Sequence, residues 1–372
     1  MRRRETLYLV VSLDVEEEGL FGGRYARRAP RVTNTAQLSR LAPLLERGVR
    51  PTLFCAHSVL TDSASRAILA RLRDMSGAEI GAHLHHWNTP PLGLDSHASG
   101  QSDMADAADV TNSVPAASVP AALMAAKLDT LFRVGEDFQG APLTSFRMGR
   151  WDLHRAHWPL LARAGVLCDA SVRPLHCAKT GADGVAAGPD HFDAPSDPYW
   201  VPVEGKHIFE VPLTVTPLLR PLPKMLRALP DGPDSWGRAV RASLRHWGAL
   251  ALLPVEHPLW AMRAVTSLFA ARGGRVLSLT WHSSEMLPGG APHLPDAASV
   301  ERLMTKIEIY LDWLHAHWEV RCLTMDGLRR ELGSSAACPR SDVACDWTTG
   351  AEQEKESGQG GTTWGSDRGE PA

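Results

Sequence analysis

The segment Glu79-Ile80-Gly81-Ala82-His83-Leu84-His85-His86-Trp87 places three histidines in four positions, directly after what reads as a strand. Neutral imidazole is the commonest protein ligand for zinc-like metals. On an extended chain residues i and i+2 share a face, so His83 and His85 can reach one ion while His86 points away. If the chain turns after His83, His86 becomes the better second ligand. A surface histidine cluster, or a core histidine held by a backbone carbonyl, has the same spacing.

Four other segments end apolar runs in groups that do chemistry. Ser12-Leu13-Asp14-Val15-Glu16-Glu17-Glu18 closes the first run with carboxylates. Carboxylates at the end of a buried strand stand at the mouth of an α/β fold, where active sites lie. Asp14 and Glu16 share a strand face and can point at one site, whereas Glu17 and Glu18 read as a solvated acidic loop. Ser145-Phe146-Arg147-Met148-Gly149-Arg150-Trp151 offers Arg147, able to orient and ion-pair a catalytic carboxylate, and Arg150, which reads as a surface residue. Cys168-Asp169-Ala170-Ser171-Val172 ends in an acid that fits a catalytic role or a turn cap equally well. Leu277-Ser278-Leu279-Thr280-Trp281-His282-Ser283-Ser284-Glu285 presents His282.

The elements that must position these groups are legible as alternating patterns. Strand-like runs occur at Leu7–Leu13, Pro51–Cys55, Ala78–Leu84, Thr144–Phe146, Leu167–Asp169, Ile208–Pro212, Val276–Trp281 and Val320–Thr324. Helical patterns occupy Thr35–Arg47, Ser63–Asp74 and the region near Val119–Phe138. Strands separated by helices of this length predict βαβ units and a parallel sheet or barrel. Residues 88–118, rich in Pro, Ser, Asp, Gly and Ala, predict a loop or lid on a barrel spanning 1–333. Residues 217–270 predict a helical insertion of two helices parted around Pro254–Pro258. The composition of 334–372 predicts a disordered tail.

The chain has 372 residues and a formal charge of −3, with no basic run beyond Arg2-Arg3-Arg4, which argues against nucleic-acid binding. The apolar stretch 247–270 is interrupted by Glu256, His257, Pro258 and Arg263. A spanning helix needs about 20 mainly apolar residues, so no membrane span is expected, though an amphipathic surface helix is compatible. The six cysteines are scattered without CxxC pairs, which argues against a cysteine zinc site and a disulfide-dense scaffold. The expected compartment is the cytoplasm.

The strand ends thus supply Asp14, His83-x-His85, Arg147, Asp169 and His282 in chain order. This series resembles the polysaccharide deacetylase (NodB-homology) family, carbohydrate esterase family four. The phrases Glu79–His83, Phe146-Arg147 and His282–Glu285 look like the branch found near bacterial surface-polysaccharide biosynthesis. The resemblance covers roughly residues 5–330. It implies a distorted (β/α) barrel that binds one divalent metal, usually zinc, and removes acetyl groups from sugars. Residue by residue, it implies that Asp14 is the base, His83 the first metal histidine and Arg147 the residue positioning the base. Asp169 would be the acid supporting the catalytic histidine, and His282 that histidine.

Two positions depart from the family pattern. Val15 stands where a metal-binding aspartate follows the base, and Trp87 stands where the second histidine falls. The expected ligand set is therefore His83, His85, Asp14 and Glu16, with His86 as the alternative to His85. Trp87, Trp151 and Trp281 are candidate sugar-packing surfaces, since aromatic faces pack against sugar C–H groups; for at least two of the motif tryptophans core packing is the stronger expectation. The expected substrate is an N-acetylated sugar of a polysaccharide or its nucleotide- or lipid-linked precursor. The competing readings are a relative that cuts a formyl or cyclic ureide C–N bond, and an inactive glycan-binding barrel.

Overall fold

The computed structural model describes residues 5–22, 25–26, 30–92, 109–110, 115–177, 188–228, 244 and 247–333. The predicted tail and most of the predicted loop at 88–118 lie outside the described residues. The strands in chain order are β1 (Thr6–Val15), β2 (Tyr25–Ala26), β3 (Thr52–Ala56), β4 (Glu79–Leu84), β5 (Asp109–Val110), β6 (Ser145–Met148), β7 (Cys168–Asp169), β8 (Tyr199–Val203), β9 (Lys206–Glu210), β10 (Val215–Pro217), β11 (Ala249–Ala251), β12 (Val276–His282) and β13 (Glu319–Cys322).

β1 is central because it is apolar on both faces, as a strand covered on both sides must be. It pairs in parallel with β12 along one edge. Its other edge is shared: β13 pairs with its first half and β3 with its second. The main sheet runs β12-β1-β3-β4-β6-β7-β9-β8, parallel throughout except for the β8–β9 hairpin.

The period of two along β1 separates two cores. Leu7, Leu9, Val11, Leu13 and Val15 join the larger apolar cluster beneath the helices. Tyr8 and Val10 face a second cluster with Phe54, Cys168, Phe209 and Met325. Ser12, Asp14 and Glu16 continue that second alternation, so the polar groups cap the inner cluster at the carboxyl ends of the strands. Val15 points the other way and is fully buried, so it is a packing residue.

The covering helices carry the expected stripes. Ala297–His317 buries Val300, Leu303, Met304, Ile307, Leu311 and Leu314, and Ser299 N–H bonds the Asp296 side chain at 2.7 Å to start it. Ser63–Ser76 starts at an Asp62 cap and stops at Gly77, whose φ of 67° suits the left-handed position.

Three expectations need correction. The helix expected at Thr35–Arg47 is a 3₁₀ run, Thr33–Leu41, followed by a short α-helix, Ala42–Glu46. Pro43 is tolerated only in the first turn of an α-helix, which fixes where the α-helical part begins. The insertion is not purely helical: the antiparallel pair β10–β11 is there too, with helix Leu222–Ala228 between the two strands in the chain and helix Leu259–Ala271 after them. The sheet does not close into a barrel through a ladder, because β8 folds back on β9 and takes the edge a closing strand would need. The seam toward β12 is bridged by side chains, with Ser278 N–H donating to Thr214 Oγ1 at 2.8 Å and Val276 N–H to Asp197 Oδ1 at 3.1 Å. Among the described residues no helix is long and apolar enough to cross a membrane.

Candidate active site

β4 remains extended through Leu84, so His83 and His85 share a face, and the chain turns only at His85, whose carbonyl accepts from Asn88 and Thr89. Glu16 lies between the two rings. Its Oε2 is 3.3 Å from His83 Nε2 and 3.1 Å from His85 Nε2. These three buried side chains form the candidate metal group among the described residues.

The far nitrogen of each ring is fixed by an acceptor. His83 Nδ1 lies 3.0 Å from the Arg147 carbonyl oxygen. His85 Nδ1 lies 2.9 Å from Glu17 Oε1. Each acceptor calls for N–H at Nδ1, so each neutral ring turns its Nε2 lone pair toward the Glu16 carboxylate. Lone pairs facing a carboxylate need added protons or a cation between them. Two imidazole nitrogens and a carboxylate oxygen, buried and held from behind, fit a divalent metal of the zinc type. With protons in place of a metal, burial opposes the charge on His85, but Glu17 and Glu16 raise its pKa to about 10.

Asp14 stands beside this group. Its Oδ1 accepts from Arg147 Nη1 at 2.6 Å, while Oδ2 lies 3.9 Å from His83 Nε2 and 3.6 Å from His282 Nε2. Asp14 is not within the triad, although it was expected as a possible ligand. Burial alone would raise its pKa, but Arg147, His83 and His282 hold it below its ordinary value, so the carboxylate is ionised.

Arg147 is 1% exposed and bonded in four directions: to Asp14, Thr280 Oγ1 at 2.8 Å, Ser12 Oγ at 2.8 Å and the Ala170 carbonyl at 3.0 Å. Its guanidinium also lies over the rings of Phe54 at 4.4 Å and Trp151 at 5.1 Å. This fork uses a shape that lysine lacks.

On the opposite side, His282 Nδ1 is 2.9 Å from Glu285 Oε2, which also accepts the His282 backbone N–H at 2.8 Å. Burial disfavours the imidazolium, yet Glu285, Glu16 and Asp14 lift its pKa to about 10. Ser283 Oγ accepts from Asn34 at 3.1 Å and from the Glu16 N–H at 3.3 Å, tying this turn to the metal group.

Several expectations change at this point. Asp169 was expected to support His282, but it accepts the Ser171 hydroxyl at 2.6 Å and faces Glu210 across the β7–β9 register. Glu285 takes the place beside His282, because the 3₁₀ turn Ser283–Met286 folds it back onto the ring and backbone N–H of that histidine. Burial raises the pKa of Asp169, and burial with the Asp169 charge raises that of Glu210 further, so the pair holds a proton. Glu17, expected in solvent, is fully buried and accepts from His85, from Trp87 Nε1 at 3.2 Å and from Asn88 at 2.6 Å.

His86 lies outside the triad, since the extended chain turns it to the other face. Trp87, stacked on His85 at 4.2 Å, and Trp281, in the core, are 2% and 1% exposed and offer no face to a sugar. Trp151 is half-buried and remains available. Arg150 and Trp151 both sit in the left-handed region, at φ 60° and 57°. Such backbone costs about 1–3 kcal/mol per non-glycine residue and is characteristic of functional sites.

The residues that the motifs did not single out are Glu285, Glu17 and Gly149. A Cβ on Gly149 would lie 2.6 Å from His85 Cδ2 and 2.8 Å from the Leu84 carbonyl, so only glycine lets β6 approach His85. The readable signal for Glu17 was that a metal-binding histidine needs an acceptor behind it.

No family model matches the chain, and no curated protein matches it. Solved structures do match. A protein described as a glycoside hydrolase/deacetylase, from Parabacteroides distasonis, is 12% identical over 88% of this chain and 72% of its own, with a TM-score of 0.53. Puue allantoinase is 13% identical over 90% of this chain and 92% of its own, with a TM-score of 0.50. These likenesses are of fold alone: the chain shares a largely parallel α/β architecture with both structures.

Proposed function

We propose that the chain is a metal-dependent hydrolase that removes an acetyl group from an N-acetylated sugar of a polysaccharide or its precursor. The observation that carries the reading is the buried Glu16–His83–His85 group with its lone pairs converging, flanked by an ionised Asp14 and a cationic His282. Glu16, His83 and His85 would hold the ion, zinc being the best match to the donors. A divalent ion there supplies Lewis-acid charge and makes water more acidic.

The chain's own residues do the rest. Arg147 fixes Oδ1 of Asp14, which leaves Oδ2 directed toward the centre as the general base. The base takes the proton of the attacking water. His282, oriented and kept cationic by Glu285, donates a proton to the departing nitrogen, which an amine leaving group requires at neutral pH. Half-buried Trp151 beside Arg147 is suited to pack a sugar ring.

Elemental analysis and acetate release from acetylated sugars, for the wild type and His83→Ala, test the reading. The expected result is about one divalent ion per chain and acetate release, with both lost in the variant. A wild type that takes up no zinc, cobalt or nickel and releases no acetate sinks it.

A second reading, hydrolysis of a cyclic ureide, is favoured by the fold likeness to an allantoinase over nearly its whole length and by Val15 being a core residue. Release of product from allantoin but not from acetylated sugars would select it.

A further inference from the structure

Of the nine large apolar residues that are exposed among the described residues, six fall in one short part of the chain: Leu218, Leu219, Met225, Leu244, Trp247 and Trp260. Those of 218–225 and the two tryptophans also lie together in space. The β10–β11 pairing sets Pro217 opposite Ala249, and the Leu218 N–H bonds the Gly248 carbonyl at 3.0 Å. Leu222 and Leu226 of the following helix pack on Gly248. The Trp247 and Trp260 rings stack at 5.7 Å with an interplanar angle of 9°, though 39% and 58% exposed. Isolated exposed leucines need no explanation, but a contiguous patch with two tryptophans marks an interaction surface.

Charge selects the partner. The described residues of 217–272 hold Arg220, Lys224, Arg227, Arg263 and Arg272 against the single acid Glu256, in a chain that is slightly acidic overall; Arg227 is paired with Asp190 and Arg263 lies over Trp313, which leaves Arg220, Lys224 and Arg272 at the patch. Arg220 and Lys224 are exposed beside Leu219 and Met225. Arg272 is anchored at the patch by the carbonyls of Pro217 and Leu218. Apolar side chains and amphipathic tryptophans interleaved with basic residues match the interface of an anionic bilayer, where the first group enters the acyl boundary and the second meets phosphate.

We propose that this part of the insertion is a docking surface for anionic lipid membranes. The surface is joined to the candidate active site. β10 and β11 form a small apolar cluster with Leu213 and Leu253, Trp151 packs against it, and Trp151 also lies over Arg147. Docking at the insertion would therefore hold the candidate site near substrates carried on lipid. The proposal does not depend on the reaction assigned above.

Vesicle co-sedimentation of the full chain at physiological salt tests it. Phosphatidylglycerol-containing vesicles are compared with pure phosphatidylcholine vesicles. The expected result is retention by the anionic vesicles, at least tenfold weaker in L219E/M225E and reduced in R220E/K224E. Circular dichroism and metal content should be unchanged in both variants. No retention of the wild type overturns the proposal, and so does retention that the variants do not reduce. Self-association lost in L219E/M225E without any vesicle binding also overturns it, by showing that a second copy covers the patch. Acetate release from a soluble sugar, measured in parallel, keeps failure of docking distinct from failure of the catalytic reading.

Discussion

Two groups of buried acids lie at the carboxyl ends of different strands of one sheet, and they are in opposite states. Asp14, Glu16 and Glu17 are almost completely buried, and all three have pKa values held below the ordinary ones despite burial, because Arg147, His83, His85 and His282 surround them. Asp169 and Glu210 are as deeply buried, but they face each other, and burial raises both. Depth therefore does not determine charge. The neighbouring groups do: Arg147, His282 and, with protons in place of a metal, the histidines beside Glu16 gather around the β1 acids.

The contrast can be broken from either end. Asp14→Asn should give the largest effect on the reaction, a loss of about 100- to 10,000-fold in rate, as expected for removal of a general base. Metal content should stay at the wild-type level, since Asp14 lies outside the triad. Loss of the ion in this variant would show that Asp14 is a ligand.

Arg147→Met should cost about 3–5 kcal/mol of stability, because it leaves a buried carboxylate without its cation. Urea denaturation measures this. In the double variant with Asp14→Asn much of the loss should be recovered, and a fully additive double variant would mean that the two residues do not act as a pair.

Glu285→Gln should lower the rate about 10- to 100-fold, the usual effect of removing the partner that orients a functional histidine. The His282 pKa should fall from about 10 toward its ordinary 6.5, so the alkaline limb of the pH–rate profile should move to lower pH. The same change in Asp169→Asn would return the supporting role to Asp169.

The smallest effect should come from Asp169→Asn or Glu210→Gln, about 1 kcal/mol or less at acidic pH, because an amide resembles a protonated carboxyl in shape. Its pH dependence carries the information. A carboxyl whose pKa is raised on folding stabilises fully below its unfolded value, 3.8 for Asp169 or 4.5 for Glu210, and that stability is lost as pH climbs through the folded value. The variants should flatten this decline. Asp14 and Glu17 have the opposite sign: their contribution is present above 3.8 and 4.5 and is lost as pH falls through their lowered folded values. Thermal melts from about pH 2 to pH 8 on the metal-free protein would separate the two trends.

The strand ends were legible because the apolar runs of parallel strands are long and finish in reactive side chains. The shared face of Asp14 and Glu16, and that of His83 and His85, followed from a period of two. Neighbourhood across the sheet was not legible. Asp169 ends a strand in the same manner as Asp14, but only the strand order shows that it meets Glu210 instead of His282. Glu285 reaches His282 through a short 3₁₀ turn, Ser283–Met286, whose geometry no periodicity announces. β10 and β11 were missed because Val-Thr-Pro and Ala-Leu-Ala are too short to show alternation.

The placement of β1 also sets a timetable. Its two β12- and β13-facing edges find partners only at Val276–His282 and Glu319–Cys322, and Glu16 meets Ser283 across a separation of 267 residues. β1 leaves a ribosome before every other described strand and would be among the last to be completed. Until then β3 covers only Ser12–Val15 and the β12-facing edge stays open, the kind of segment that aggregates or needs a chaperone. Catalytic competence should therefore appear late and all at once in synthesis, and fragments ending before residue 276 should be insoluble rather than partly active.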